Sequence, residues 1–219
     1  MTRDFSEVMP TLTGIQDNLL QVAVYTDFQP QCVIILEQDP PHLLESLDAL
    51  RNYANQRKLR FPLLINRKFV NSSLDSYPLE FLDIVTANYQ NLFVKEDILK
   101  SLQFNPTDLR LQMEREIKSK WLLIRLTVLE QKNSPAQLAN ILLLTFSNIV
   151  PVLKGICYLK DGSVPASMEE MITRTEQIIS VKIEAMFDWG SGKKADLKNV
   201  QQFLAILEEI MQYLENIDI

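Results

Sequence analysis

Apolar and polar residues follow two different rhythms along this chain. Before about residue 96 the apolar positions come in short runs rich in branched and aromatic residues, separated by turn formers. The run Leu19-Leu20-Gln21-Val22-Ala23-Val24-Tyr25-Thr26 is followed by a turn from Asp27 to Pro30 and then by Cys32-Val33-Ile34-Ile35-Leu36, so the two read as neighbouring strands. Asp39-Pro40 places a capping carboxylate before a proline suited to the first helical position, and Leu43, Leu47, Leu50 and Ala54 then recur at helical spacing. This helix is expected to end near Arg57 and to deliver the chain to a third strand at residues 61–65. After the polar turn Asn71-Ser72-Ser73, a fourth strand is expected at residues 79–85. Strand, helix and strand in short units predict a sheet covered on one face by helix.

From about residue 97 the spacing lengthens to that of long helices with explicit start signals. Asn105-Pro106, Ser134-Pro135 with Gln137, and Ser167 with Glu170 are three N-terminal caps, the last two at capping-box spacing. Leu109, Met113, Ile117, Trp121, Ile124 and Val128 form the buried stripe of the first helix, with Arg110, Glu114, Lys118 and Arg125 toward its wet side. The second, from Pro135 to about Leu159, is apolar nearly all round between Ile141 and Val152 and should be the central helix, kinked at Pro151. Residues 160–163 and 189–194 read as loops. The second loop, Trp189-Gly190-Ser191-Gly192-Lys193-Lys194, lacks the length and the following Ser or Thr of a phosphate-binding P-loop. A last helix at residues 196–216 carries Leu197, Val200, Leu204, Leu207, Met211 and Leu214 on one face. The predicted class is α+β: a small mixed sheet with flanking helices over residues 1–96, then an all-α bundle over 97–219.

Charge changes this picture little. The 219 residues include 22 basic and 28 acidic side chains, a net charge of −6, which disfavours an extended nucleic-acid-binding face. The densest basic region, Arg57, Lys58 and Arg60 with Arg67 and Lys68, reads as a helix end plus strand flanks rather than as a phosphate site. Cys32 and Cys157 lie in apolar surroundings without Cys or His at metal-ligand spacing and should be buried thiols. The beginning, Met1 to Ser6, has no leader pattern and no stretch reads as a membrane span, so a cytoplasmic protein without membrane attachment is the expectation.

The segments around Val22 to Tyr25, Val33 to Leu36 and residues 61–65, with Ser73-Leu74-Asp75-Ser76-Tyr77-Pro78-Leu79-Glu80-Phe81-Leu82-Asp83-Ile84, Asn91-Leu92-Phe93-Val94-Lys95-Glu96-Asp97 and Leu109-Arg110-Leu111-Gln112, resemble bacterial uncharacterised proteins with a polymerase-beta-like nucleotidyltransferase domain. The resemblance spans about residues 15–160. It implies transfer of a nucleoside monophosphate from a nucleoside triphosphate to an acceptor hydroxyl, with two magnesium ions held by carboxylates, the hard oxygen ligands that magnesium prefers. The family pattern has a Gly-Ser turn, an Asp-any-Asp pair on the next strand and a third carboxylate nearby. Here the turn falls at Tyr25-Thr26-Asp27, without glycine, and the pair falls near Gln31 and Val33, neither of them anionic. Only the third acid has candidates: Asp83, or second Glu80, on the expected strand 79–85.

Glu37 and Asp39 offer a displaced pair, since residues two apart on a strand share a face. A shift of six residues would move the carboxylates about 20 Å along an extended strand, out of register with Asp83. His42, the only histidine, has no nucleophile motif beside it, and the C-terminal helices lack the Arg-to-His spacing of the helical ribonucleases that often accompany small nucleotidyltransferases. Trp121 and Trp189 read as core anchors. The expected function is therefore a catalytically inactive nucleotidyltransferase-like protein without metal or cofactor, binding a nucleotide or a partner protein, or forming a homodimer. The alternative is an active magnesium-dependent nucleotidyltransferase using Glu37, Asp39 and Asp83 with a nucleoside triphosphate.

Overall fold

A computed structural model describes residues 4–26, 29–130, 134–186 and 195–217. The chain divides into two units, one of Met1–Tyr77 with Phe81–Phe104 and one of Pro78–Glu80 with Asn105–Ile219. The architecture is α+β, a four-stranded mixed sheet with flanking helices and a helical C-terminal region.

In the first unit, β1 (Leu19–Thr26) and β2 (Pro30–Leu36) form an antiparallel pair with Val22 opposite Ile34, Val24 opposite Cys32 and Tyr25 opposite Gln31. After β2 the chain crosses over through α1 (Leu43–Ser46) and α2 (Asp48–Arg57) to β3 (Leu63–Asn66), which lies parallel to β2. Two further helices, α3 (Arg67–Ser73) and α4 (Pro78–Thr86), precede β4 (Gln90–Val94), which pairs antiparallel with β1. The strand order is β3-β2-β1-β4.

Both faces of this sheet are buried, not one. Val22, Cys32, Ile34 and Leu36 pack on Phe5, Val8, Leu12 and Ile15 of the N-terminal segment, which includes a run of 3-10 turns at Met9–Asn18, and on Leu50 and Tyr53 of α2. On the opposite face, Ala23, Val33, Ile35 and Ile65 pack on Val70 of α3 and on Phe81 and Ile84 of α4. Covering on two sides explains why β2 reads as an unbroken apolar run without the alternation of a half-exposed strand.

Three expectations are corrected here. Residues 79–85 are not a strand but lie in α4: Pro78 starts the helix, and a short apolar run bounded by a proline satisfies either period until neighbours decide. The fourth strand is instead β4, where Asn91, Leu92 and Phe93 are half-buried. Asp39 caps no helix. The chain turns at Pro40 and Pro41, α1 starts only at Leu43, and the single helix expected up to Arg57 is broken at Leu47.

The second unit contains α5 (Pro106–Glu130), α6 (Pro135–Asp161), α7 (Met168–Ile179) and α8 (Leu197–Asn216). The Ser134 hydroxyl accepts from the Gln137 N–H while the Gln137 side chain accepts from the Ser134 N–H, a complete capping box; Ser167 forms only the first half with Glu170. Asp196 and Asn199 make a second complete box. Gly162 ends α6 at φ 69°, the left-handed conformation that glycine adopts without Cβ strain.

The α6 helix runs through Pro151 and buries Leu142, Ile149, Leu153 and Ile156 among its neighbours α5, α7 and α8. Among the described residues it is the one helix long and apolar enough to cross a membrane, and over half of its apolar stretch is buried within the protein. In α8 the buried face is Val200, Phe203, Leu207, Ile210 and Leu214, while Leu197 is exposed. Cys32 and Cys157 are both buried unpaired thiols. Burial pushes Cys32 up to about 12 and raises Cys157 as well.

Gly155 of α6 packs tightly against Met113 of α5 and Leu79 of α4. A Cβ there would stand 2.5 Å from Met113 Sδ and 2.9 Å from Leu79 Cδ2. Both neighbours are flexible side-chain ends, so alanine would be accommodated with small shifts, but the branched valine would not. Gly155→Val is expected to lower stability by about 3 kcal/mol, an overpacking effect. Urea denaturation checks this, and an unchanged midpoint would refute the close approach.

Candidate functional site

The resemblance places the catalytic pair at the start of β2, and the structure shows what stands there. Gln31 lies beside Tyr25 across the hairpin and is half-buried, whereas Val33, two residues on, is 0 % exposed between Ala23 and Leu63. The first position opens to solvent and the second belongs to the core.

A groove of about 480 Å³ opens at this end of the sheet, between the β1–β2 hairpin, the turn before β4 and the N-terminal segment. Its polar lining includes Ser6, Tyr25, Thr26, Gln31, Asn88 and Gln90. Asn88 occupies the turn between α4 and β4 at φ 52°, a left-handed conformation that asparagine tolerates better than most residues. Asp4 is the only charged side chain on the wall among the described residues, and its carboxylate accepts from the Ser6 N–H at 3.1 Å and from the Ser6 hydroxyl at 2.6 Å. Among the described residues, three amides and no lysine, arginine or histidine line this groove. These side chains can offer hydrogen bonds to neutral polar groups. Asp27, at the expected Gly-Ser turn, lies outside the described residues, as do Trp189 and the loop to Lys194.

The acids proposed from sequence lie elsewhere and already have partners. Glu37, just past β2, receives the Arg67 guanidinium in a two-point contact, Nε to Oε1 at 3.0 Å and Nη2 to Oε2 at 2.9 Å. The same guanidinium donates to Glu96 at 2.9 and 2.5 Å. Hydrogen bonding from Arg67 holds Glu96 below the usual carboxylate range. The Asp39 carboxylate accepts from Asn66 Nδ2 at 3.0 Å, and Asn66 Oδ1 caps α3 through the Phe69 N–H at 2.8 Å. Asp83, half-buried, stands in the interior of α4 and not on a strand.

Glu80 lies in the first turn of α4, within the second unit, where its carboxylate accepts from Gln112 Nε2 at 2.8 Å. The other end of that buried amide, Gln112 Oε1, accepts from the Leu79 N–H at 2.8 Å, so Gln112 satisfies an orphan donor of the helix start. Among the described residues, no three His, Cys, Asp or Glu side chains come together as a metal-binding group. Glu37, Asp39 and Asp83 are not brought together in such a group.

The remaining candidates are surface groups or internal anchors. His42 faces Glu45 at 3.3 Å in the open. Arg57, the best-placed cation of the basic segment, is ion-paired with Glu7 and lies 4.2 Å over the Tyr53 ring. Trp121 donates to Glu208 at 3.0 Å and carries Arg125 on its face.

One polar cluster escaped the sequence reading. Gln21, wholly buried in β1, donates to Asn91 Oδ1 and to Asp97 Oδ1, each at 2.8 Å, and accepts from the Leu99 N–H at 3.1 Å. Asp97 also accepts from the Tyr89 hydroxyl, Asn91 Nδ2 and the Lys100 N–H. Burial opposes the charge on Asp97, but these donors outweigh it and leave the carboxyl below its ordinary range. Tyr89 is pushed up to about 12 by burial and by Asp97. With every oxygen engaged, the cluster locks β1 to the segment after β4 and leaves no free group for chemistry. The only sequence signal was a glutamine inside an apolar strand.

Compared with known proteins, the chain matches no protein-family model, no curated protein and no solved structure.

Proposed function

We propose that this chain is a non-catalytic binding module on a nucleotidyltransferase-like sheet, and that its ligand is a segment of polypeptide rather than a nucleotide. One observation carries the reading: where the resemblance calls for two metal-binding carboxylates stand Gln31, facing an open groove, and Val33, sealed in the core. Without anionic oxygens a divalent cation is not held, and without the cation the charge that develops in phosphoryl transfer is not stabilised.

The groove favours peptide over nucleotide on electrostatic grounds. A triphosphate needs cations or a cluster of N–H donors, and the described residues of this wall supply one carboxylate and neutral amides. Gln31, Asn88 and Gln90 can each donate and accept, matching the alternating N–H and C=O groups of a peptide backbone.

A ligand specific to the folded state raises thermal stability by mass action. ATP or GTP, with or without magnesium, is expected to leave the melting temperature unchanged. A magnesium-dependent rise that disappears in Asp83→Ala would overturn the reading in favour of an active transferase.

A further inference from the structure

The outer side of α5 carries an apolar strip that is exposed among the described residues. Leu122, Leu126 and Leu129 recur at four and three residues, the spacing of a coiled-coil seam, with exposures of 55, 54 and 82 %. Leu123 beside them is 54 % exposed. On the opposite side of the same helix Ile117 and Ile124 are 0 % exposed, so the seam points directly away from the unit's own core. Four such leucines within eight residues form a patch of the size, roughly 300–600 Å², that on a single chain commonly marks an interaction surface.

We infer that this seam pairs with the same seam of a second copy of the chain, the two α5 helices running parallel about a two-fold axis. The flanking charges select this occupant. Arg125 borders the seam on one side and Glu130 on the other, five residues further along. In a parallel pair that offset sets Arg125 of each helix against Glu130 of the other, giving two equivalent ion pairs across a self-complementary interface. Neither residue has an ion-pair partner among the described residues, and Arg125 is already held 4.3 Å over the Trp121 ring. An antiparallel pair would set the basic flank of Lys118 and Arg125 against itself. A lipid surface would have to accept Glu130 beside the apolar strip, on a chain of net charge −6. The inference is independent of the groove and of the proposed ligand there.

Sedimentation equilibrium of the full chain tests it. The wild type is expected to reach twice the chain mass at concentrations on the order of 100 μM. Leu126→Asp should be monomeric with an unchanged circular dichroism spectrum. Arg125→Glu and Glu130→Arg, each of which places like charges across the seam, should separately weaken association about tenfold. Mixed in equal amounts they should re-associate as a heterodimer, because each then meets its opposite. A wild type that stays monomeric overturns the inference, as does a monomer that floats with anionic vesicles, which would assign the strip to lipid. Charge variants that dimerise like the wild type, or that fail to rescue one another, overturn the parallel pairing.

Discussion

Val33→Asp should leave the first unit largely unfolded at neutral pH, while Gln31→Asp, two residues earlier on the same strand face, should change stability by less than about 1 kcal/mol. Val33 is 0 % exposed, with Ile35, Ile65, Phe81 and Ile84 in the same apolar layer. A carboxylate there has no cation or donor to meet, and an unpaired buried charge costs several kcal/mol, comparable to the whole stability of a small domain. The folded state would hold the new carboxyl protonated, with its pKa raised above the unfolded value of about 4. A raised folded value means that the lost stability is recovered below the unfolded pKa and missing as pH rises through the folded one. The variant should therefore regain structure in acid, which circular dichroism across pH would show. If Val33→Asp were as stable as the wild type at pH 7, the account of this core position would be wrong. A carboxylate at this position is thus not accommodated by one substitution, because apolar side chains of the sheet and of two helices pack on it.

Gln21→Ala should cost about 2–3 kcal/mol, since it strips two hydrogen bonds from the cluster and leaves the buried Leu99 N–H without an acceptor. The loss should depend on pH. Asp97 has a folded pKa below its unfolded one, so its contribution is present at neutral pH and disappears as pH falls through the folded value. Removing the Gln21 donor brings the two values closer. The stability gap between wild type and variant should therefore narrow below about pH 4. Urea denaturation at neutral and at acid pH measures both numbers, and a gap constant across that range would show that the carboxylate is not coupled to Gln21.

The hairpin β1–β2 and the long helices were legible in sequence because their signals are local: branched runs flanking a turn, and Ser, Asn or Asp caps ahead of 3.6-residue periodicity. Residues 79–85 were misread because Leu79, Phe81, Leu82 and Ile84 are all buried, and a segment covered on several sides carries no amphipathic period. Asp39 was misread because the residue that uses its carboxylate, Asn66, lies 27 positions away. The replacement of the expected pair by Gln31 and Val33 could be read directly, but the groove could not. Its wall is assembled from the N-terminal segment, the hairpin and the turn before β4, which meet only in the folded chain.

The ion pairs of Arg67 have a consequence for the sheet as a whole. This guanidinium fastens together the exits of β2, β3 and β4, all at one end of the sheet, while the groove lies at the other end, where β1 finishes and β2 and β4 begin. Added salt screens the first and leaves neutral amides untouched. The unit thus has a clasped end whose grip depends on ionic strength and an opposite end whose described lining is mostly neutral, so salt should loosen the first while leaving the amides of the second unchanged.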